Sequence, residues 1–191
     1  MQKFFFNEQN KISGLVSDLN STLTKFNNRD FDASVSVQML LNKTILVFKE
    51  LGDALRESEV AVLLSEFLLT RKGLNTIRFE KQSGGRTELQ HLITYKILQQ
   101  MQMLLQQVLQ KNQDKVIEVS SLIAQIVTAA LQANIIHDTA IANYQSGKDA
   151  ETFWNLFATD TSLLLAQKRA LLIVSKYDCL IILDDLITHL Q

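Results

Sequence analysis

The stretch TELQHLITYKILQQMQMLLQQVLQK, residues 87–111, decides the fold class. Its apolar residues recur every three or four positions, the period that lines one face of an α-helix. That face carries Leu89, Ile93, Ile97, Met101, Leu104 and Val108. Thr87, with Gln90 three residues later, matches a capping box, which satisfies backbone N–H groups where a helix starts. We therefore predict a long amphipathic helix that begins at Thr87.

The same period continues on both sides of this stretch. Before it, we predict a first helix over about residues 7–26 and a second helix that begins after a cap at Asp32. A third, shorter helix begins after a cap at Ser58, has Arg71 and Lys72 in its last turn and is followed by Gly73. The chain of 191 residues contains six glycines and no proline, a composition that favours long helices with short connections. The prediction is an all-α, antiparallel multi-helix bundle of about six or seven helices.

Two further features complete the predicted architecture. Asn112 to Asp114 indicates a tight reversal, so that a fourth helix and a fifth helix, reaching about Asn143, form a long hairpin. Residues 163–183 are the most apolar part of the chain and predict a very apolar C-terminal helix, central in the bundle or shared with a second copy. Charged residues interrupt this segment, so we do not interpret it as a membrane span. The sequence leaves open whether residues 149–190 form one helix or two.

The length fits one helical domain over residues 1–191. The only long stretch without a helical period is residues 74–86, so two sub-units, 1–73 and 87–191, joined by this loop are the alternative.

The net charge of the whole chain gives little indication of a partner, but positive charge is concentrated in one segment. The formal net charge is −1, which does not favour binding to nucleic acid. Basic residues cluster around the predicted loop: Arg71, Lys72, Arg78, Lys81 and Arg86. This segment is interpreted as a solvated loop, with a protein-contact loop and an anion or nucleic-acid site as alternatives.

The sequence contains one half of a known metal-binding motif. Glu88 and His91 have the Glu-x-x-His spacing of carboxylate-bridged di-iron bundles, but no second Glu-x-x-His accompanies them. We therefore predict no metal and no cofactor. Cys179 is the only cysteine, which excludes an intramolecular disulfide and indicates a reducing, cytoplasmic compartment.

His137 is the histidine that the pattern singles out, because it falls on the apolar stripe of the predicted fifth helix. It is interpreted as a hydrogen-bonded core residue, or alternatively as a pH-sensitive or ligand-contacting group inside the bundle. Asp184, Asp185 and His189 are interpreted as a solvated helix end.

No complete catalytic constellation is recognisable, and the apolar helical surface exceeds what a small bundle needs. The sequence therefore predicts a non-catalytic adaptor or scaffold that acts through protein–protein contact and forms homo-oligomers. One alternative is a small-molecule- or metal-binding bundle, including an enzyme, with a site near His137 or near Glu88 and His91. The other is anion or nucleic-acid contact through residues 71–86.

Overall fold

The computed structural model describes residues 5–74 and 86–190, with the side chain of Arg86 excepted. Within these ranges every regular element is an α-helix, which confirms the all-α prediction. The eight helices are α1 (Phe5–Asn27), α2 (Ala33–Leu51), α3 (Ala54–Arg71), α4 (Arg86–Gln132), α5 (Asp138–Ala142), α6 (Ala150–Phe157), α7 (Thr161–Ile173) and α8 (Lys176–Thr188).

The chain divides into two compact units. The first comprises Gln9–Leu109, and the second comprises Gln110–Gln191 together with Met1–Glu8. Each unit has its own hydrophobic core, and α4 contributes residues to both. The predictions of one domain over 1–191, or of sub-units 1–73 and 87–191, stay predictions.

In the unit of residues 9–109, α1 to α3 and the first half of α4 each bury one stripe. Large side chains fill this core, among them Leu19, Leu41, Phe48, Phe67, Ile97 and Met101. Only Gly52 and Asp53 connect α2 to α3, so the two helices pack as an antiparallel pair. Gly52 has a φ of +68°, a left-handed conformation that glycine adopts without strain, and it ends α2.

One predicted side-chain cap and one predicted helix start need correction in this unit. Asp32 precedes α2, but its side chain caps no backbone N–H and instead pairs with Lys25. The third helix starts at Ala54, five residues earlier than predicted, because Asp53 and not Ser58 accepts a hydrogen bond from a first-turn N–H, that of Arg56. This helix ends at Arg71 with Lys72 as its C-cap, and Gly73 follows, as predicted, in a left-handed conformation with a φ of +84°.

The predicted hairpin of helices four and five is wrong, because α4 runs without a break from Arg86 to Gln132. Asn112 lies inside the helix and is buried, while Gln110 donates a hydrogen bond to Asp114 one turn later. The stretch contains neither glycine nor proline. Asn and Asp weaken a helix interior by well under about 1 kcal/mol each, which long buried stripes on both sides outweigh.

The predicted helix reaching Asn143 is also wrong. Asn134 adopts a φ of +54°, and the N–H of Ile135 donates to the carbonyl of Ala130 at 2.9 Å. This is a helix-ending motif in which Asn takes the left-handed position usually held by glycine. It ends α4 at Gln132 and places residues 138–142 in the separate short helix α5.

Residues 149–190 form three helices rather than one or two. Asp160 accepts backbone hydrogen bonds from Ser162 and Leu163 and starts α7. Ser175 and Asp178 form a reciprocal capping box that starts α8. The apolar segment 163–183 is therefore divided between two helices.

The carboxylate of Asp178 stabilises the starts of two helices at once. Besides capping α8, it accepts hydrogen bonds from the backbone N–H groups of Phe5 at 2.9 Å and Phe6 at 3.2 Å, in the first turn of α1. Asp178 is fully buried, so these bonds replace its hydration. They tie the start of α1 to α8 within one unit.

None of the helices in the described ranges combines the length and the apolar character that crossing a membrane requires.

Candidate functional site

The outward side of α3 carries an unusual apolar pattern. Leu55, Val62 and Leu69 recur at intervals of seven residues and are 70%, 54% and 39% exposed. The exposed Ser58 and Ser65 lie between them. We call these five residues the α3 stripe. A surface helix normally turns polar residues outward, so a seven-residue apolar repeat on the exposed side indicates a contact surface.

The α3 stripe is not surplus core. The buried side of α3 is formed by Val60, Leu63, Phe67 and Thr70. Ser58, Ala61 and Ser65 are small, and together with Val62, Glu66 and Leu69 they line a shallow groove along the helix. Ser65 donates its hydroxyl to the carbonyl of Ala61 at 2.9 Å, so this polar group is satisfied within its own helix.

A second exposed apolar stripe lies on α2. Val35, Met39 and Leu46 are 53%, 66% and 59% exposed. Their spacing of four and seven residues places them on one side of the helix, opposite the buried residues that include Val37, Leu41 and Phe48. We call Val35, Met39 and Leu46 the α2 stripe.

Neither stripe was predicted from the sequence. Leu55 and Leu68 have the helical spacing of inward-facing residues, yet both are exposed. The seven-residue spacing of Leu55, Val62 and Leu69 is visible in the sequence and was the signal available. Sequence alone does not distinguish an inner from an outer apolar stripe when one helix carries both.

A cavity of about 1030 Å³ lies among the end of α1, the start of α2, the end of α3 and the first turns of α4. Phe26 stacks on His91 with ring centroids 4.2 Å apart, and Tyr95 lies nearly parallel at 6.4 Å from Phe26. Glu88 also lines this cavity. The structure thus places the Glu-x-x-His pair at a cavity wall, with the histidine ring stacked on an aromatic side chain.

Of the predicted basic cluster, the structure places Arg71 at the same cavity as Glu88 and His91. Arg71 lines the cavity and donates a hydrogen bond to Gln38 at 2.8 Å, while Lys72 is exposed at the end of α3. Arg78 and Lys81, like the side chain of Arg86, lie outside the described residues. His137 is exposed ahead of α5, which corrects its predicted place on a buried helical stripe. A ligand contact of His137 stays a prediction.

Asp184 holds the loop before α6 against α8, which corrects its interpretation as part of a solvated helix end. It accepts hydrogen bonds from the hydroxyls of Tyr144 and Ser146, both at 2.7 Å, and from the N–H of Gly147 at 2.9 Å. Burial acts to raise the pKa of Asp184, but these three bonds outweigh it and hold the pKa below its usual value. The pKa of Tyr144 is raised, first by burial and then by its bond to Asp184.

Cys179 is buried in α8. Burial, and secondarily the charge of Asp178, raises the pKa of its thiol to about 12. The thiolate is the reactive form of cysteine, so this environment keeps the side chain unreactive. In the part of the chain that the structure describes, no three His, Cys, Asp or Glu side chains are grouped to hold a metal ion.

Comparison of the chain with models of protein families, with curated proteins and with solved structures finds no match.

Proposed function

We propose that this chain is a non-catalytic helical protein that acts through protein–protein contact, as an adaptor or scaffold. The observation that supports this proposal is the pair of exposed apolar stripes on α2 and α3, each on a helix whose opposite side already forms core. Such surfaces on a folded unit characterise binding faces.

The energy available from these stripes is in the range that protein contacts use. Six apolar side chains in the α2 and α3 stripes are between 39% and 70% exposed. Full burial of such a side chain is worth about 1.5–3 kcal/mol, so covering the remaining half of six gives on the order of 5–9 kcal/mol. Association itself costs about 4 kcal/mol or more, so weak to moderate binding is the expected result.

The C-terminal segment supplies further apolar surface. On α7, Leu165 and Leu172 are seven residues apart and are 64% and 88% exposed. These two side chains support the proposal that the chain is an antiparallel bundle whose very apolar C-terminal segment contributes to homo-oligomer contacts. A protein partner in a cytoplasmic setting is part of the same proposal.

Site-specific photo-cross-linking in the source cells tests the proposal. A benzophenone amino acid at Met39 or at Val62 should give discrete adducts, whereas the same group at the exposed Gln113 of α4 should not. Gln113 is the matched control because Lys111 and Asp114 beside it are exposed and charged. Equal labelling at all three positions, or no discrete adduct at either apolar position, would contradict protein contact as the function.

A second proposal, a small-molecule site in the cavity beside α4, is favoured by one specific observation. The Phe26–His91 stack forms part of a wall that also includes Tyr95 and Leu89, and aromatic walls with a few polar groups are typical of ligand sites. Because the chain contains three histidines, NMR can follow His91 with the exposed His137 and His189 as internal controls. A bound compound should shift the ring signals of His91 and not those of the other two; identical shifts of all three would exclude this site.

A further inference from the structure

The partner of the α3 stripe can be derived from the sizes of its side chains. Large residues, Leu55, Val62 and Leu69, occupy every seventh position, and small residues, Ser58 and Ser65, lie between them. In a parallel helix pair, equivalent positions meet, so leucine faces leucine and serine faces serine. In an antiparallel pair the two kinds of position face each other, and large side chains fit beside small ones.

We infer that the α3 stripe binds a second copy of this chain, α3 against α3, antiparallel about a two-fold axis. This inference rests on the proposed protein-contact function and names the partner for one of its surfaces. Around such an axis, Val62 of one copy lies beside Ser65 of the other, and Leu69 lies beside Ser58. A two-fold axis makes the same contacts twice, so one short stripe supplies a complete interface.

The groove on α3 has the shape that this packing needs. Ser58, Ala61 and Ser65 form its floor and wall, and the α3 stripe of a second copy presents leucine and valine side chains at matching intervals. Because Ser65 is already hydrogen-bonded to Ala61, covering it with an apolar side chain leaves no unsatisfied hydroxyl donor.

Charge favours the same orientation. Near the start of α3, Asp53, Glu57 and Glu59 outnumber Arg56, whereas Arg71 and Lys72 outnumber Glu66 near its end. Antiparallel pairing places the acidic end of one helix beside the basic end of the other, and it also opposes the two helix dipoles. Parallel pairing would place like charges together.

The size of the contact determines the expected affinity. An 18-residue helix is about 27 Å long, so a pair of them buries less than the ~800 Å² per partner of a standard interface. We therefore expect a reversible dimer with a dissociation constant on the order of 100 µM.

Distances between spin labels test both the dimer and its orientation. A single label is placed at Ala54 or at Glu59, both exposed, in a Cys179→Ala chain so that the introduced cysteine is the only thiol. In the antiparallel dimer the two Ala54 labels lie about 15 Å farther apart along the helix axis than the two Glu59 labels, from ~1.5 Å per residue in each chain. In a parallel dimer the two distances are the same.

Two variants and one control test whether the dipolar signal between spin labels depends on the α3 stripe. Val62→Glu adds a charge at the centre of the contact, and Ser65→Trp fills the groove; each should reduce the dimer signal at least tenfold while circular dichroism stays unchanged. Met103→Glu, at a residue of similar exposure on α4 in the same unit, lies in neither stripe and should leave the signal intact. Absence of a dipolar signal up to about 500 µM, equal distances at the two positions, or an equal effect of Met103→Glu would overturn the inference. If the chain is monomeric, the dimer inference fails, and the proposed protein-contact function is still tested separately by cross-linking at Met39.

Discussion

Replacing Asp178 with alanine should strongly destabilise the unit that contains α8. The fully buried carboxylate accepts hydrogen bonds from the N–H of Phe5, the N–H of Phe6, and the N–H and hydroxyl of Ser175. A hydrogen bond to a charged group contributes about 1.5–3 kcal/mol, and each buried donor left unpaired costs about 1–3 kcal/mol. Because all four bonds converge on one side chain, the losses do not add, and we expect a total of about 3–5 kcal/mol.

Trp154 makes this loss measurable, because it is the only tryptophan in the chain and is buried in the same unit. Urea unfolding followed by its fluorescence should show a midpoint lowered by about 1.5–2.5 M, for an m-value of about 2 kcal/mol/M. Asp178→Asn keeps the shape of the side chain but has one acceptor oxygen fewer. It should therefore lower the urea midpoint by most of the amount expected for Asp178→Ala. Asp185→Asn, on the same helix with a side chain 76% exposed, is the control and should change stability by less than about 0.5 kcal/mol. A shift of less than about 0.3 M for Asp178→Ala would refute the double-capping role.

Three further outcomes follow. Asp184→Asn should lower the urea midpoint at neutral pH. Because the folded pKa of Asp184 is held below its ordinary value, its contribution to stability is present above the ordinary carboxyl range and is lost as the pH falls through the folded pKa. The difference between wild type and variant should therefore shrink as the pH is lowered below the ordinary carboxyl range, and a constant difference would contradict this. Cys179, with a pKa of about 12, should resist iodoacetamide at about pH 8 until urea unfolds the chain, and rapid labelling of the folded protein would show that its burial is wrong. Gln113→Pro should cost about 3 kcal/mol or more by thermal unfolding, since it interrupts α4, whereas a tolerated proline would restore the hairpin of the sequence prediction.

The all-α class was predictable because local periodicity decides it. The spacing of apolar residues from Leu89 to Val108 is enough to predict the apolar face of this helix, and residues at the predicted positions, such as Ile93 and Ile97, are buried. Helix boundaries were predictable where the signal was a residue type with one strong preference, as at the end of α3, where Gly73 has a positive φ.

Features that depend on residues far apart in the sequence were not predictable. Asn112 to Asp114 and Asn134 carry similar local preferences, yet the first lies inside α4 and the second ends it. The difference depends on the packing of flanking residues, which local preference does not contain. Similarly, the hydrogen bonds of Asp178 and Asp184 were not predictable, because their partners Phe5 and Tyr144 are far away in sequence.

The claim that the outward face of α3 is a protein-contact surface is tested most directly by sedimentation equilibrium of the full chain. Over a hundredfold range, from about 5 to about 500 µM, we expect the apparent mass to rise from 21.7 kDa towards that of two chains. The Val62→Glu variant should remain at 21.7 kDa throughout, and Met103→Glu should follow the wild type. A wild-type mass of 21.7 kDa at every concentration would contradict a contact between copies at this face.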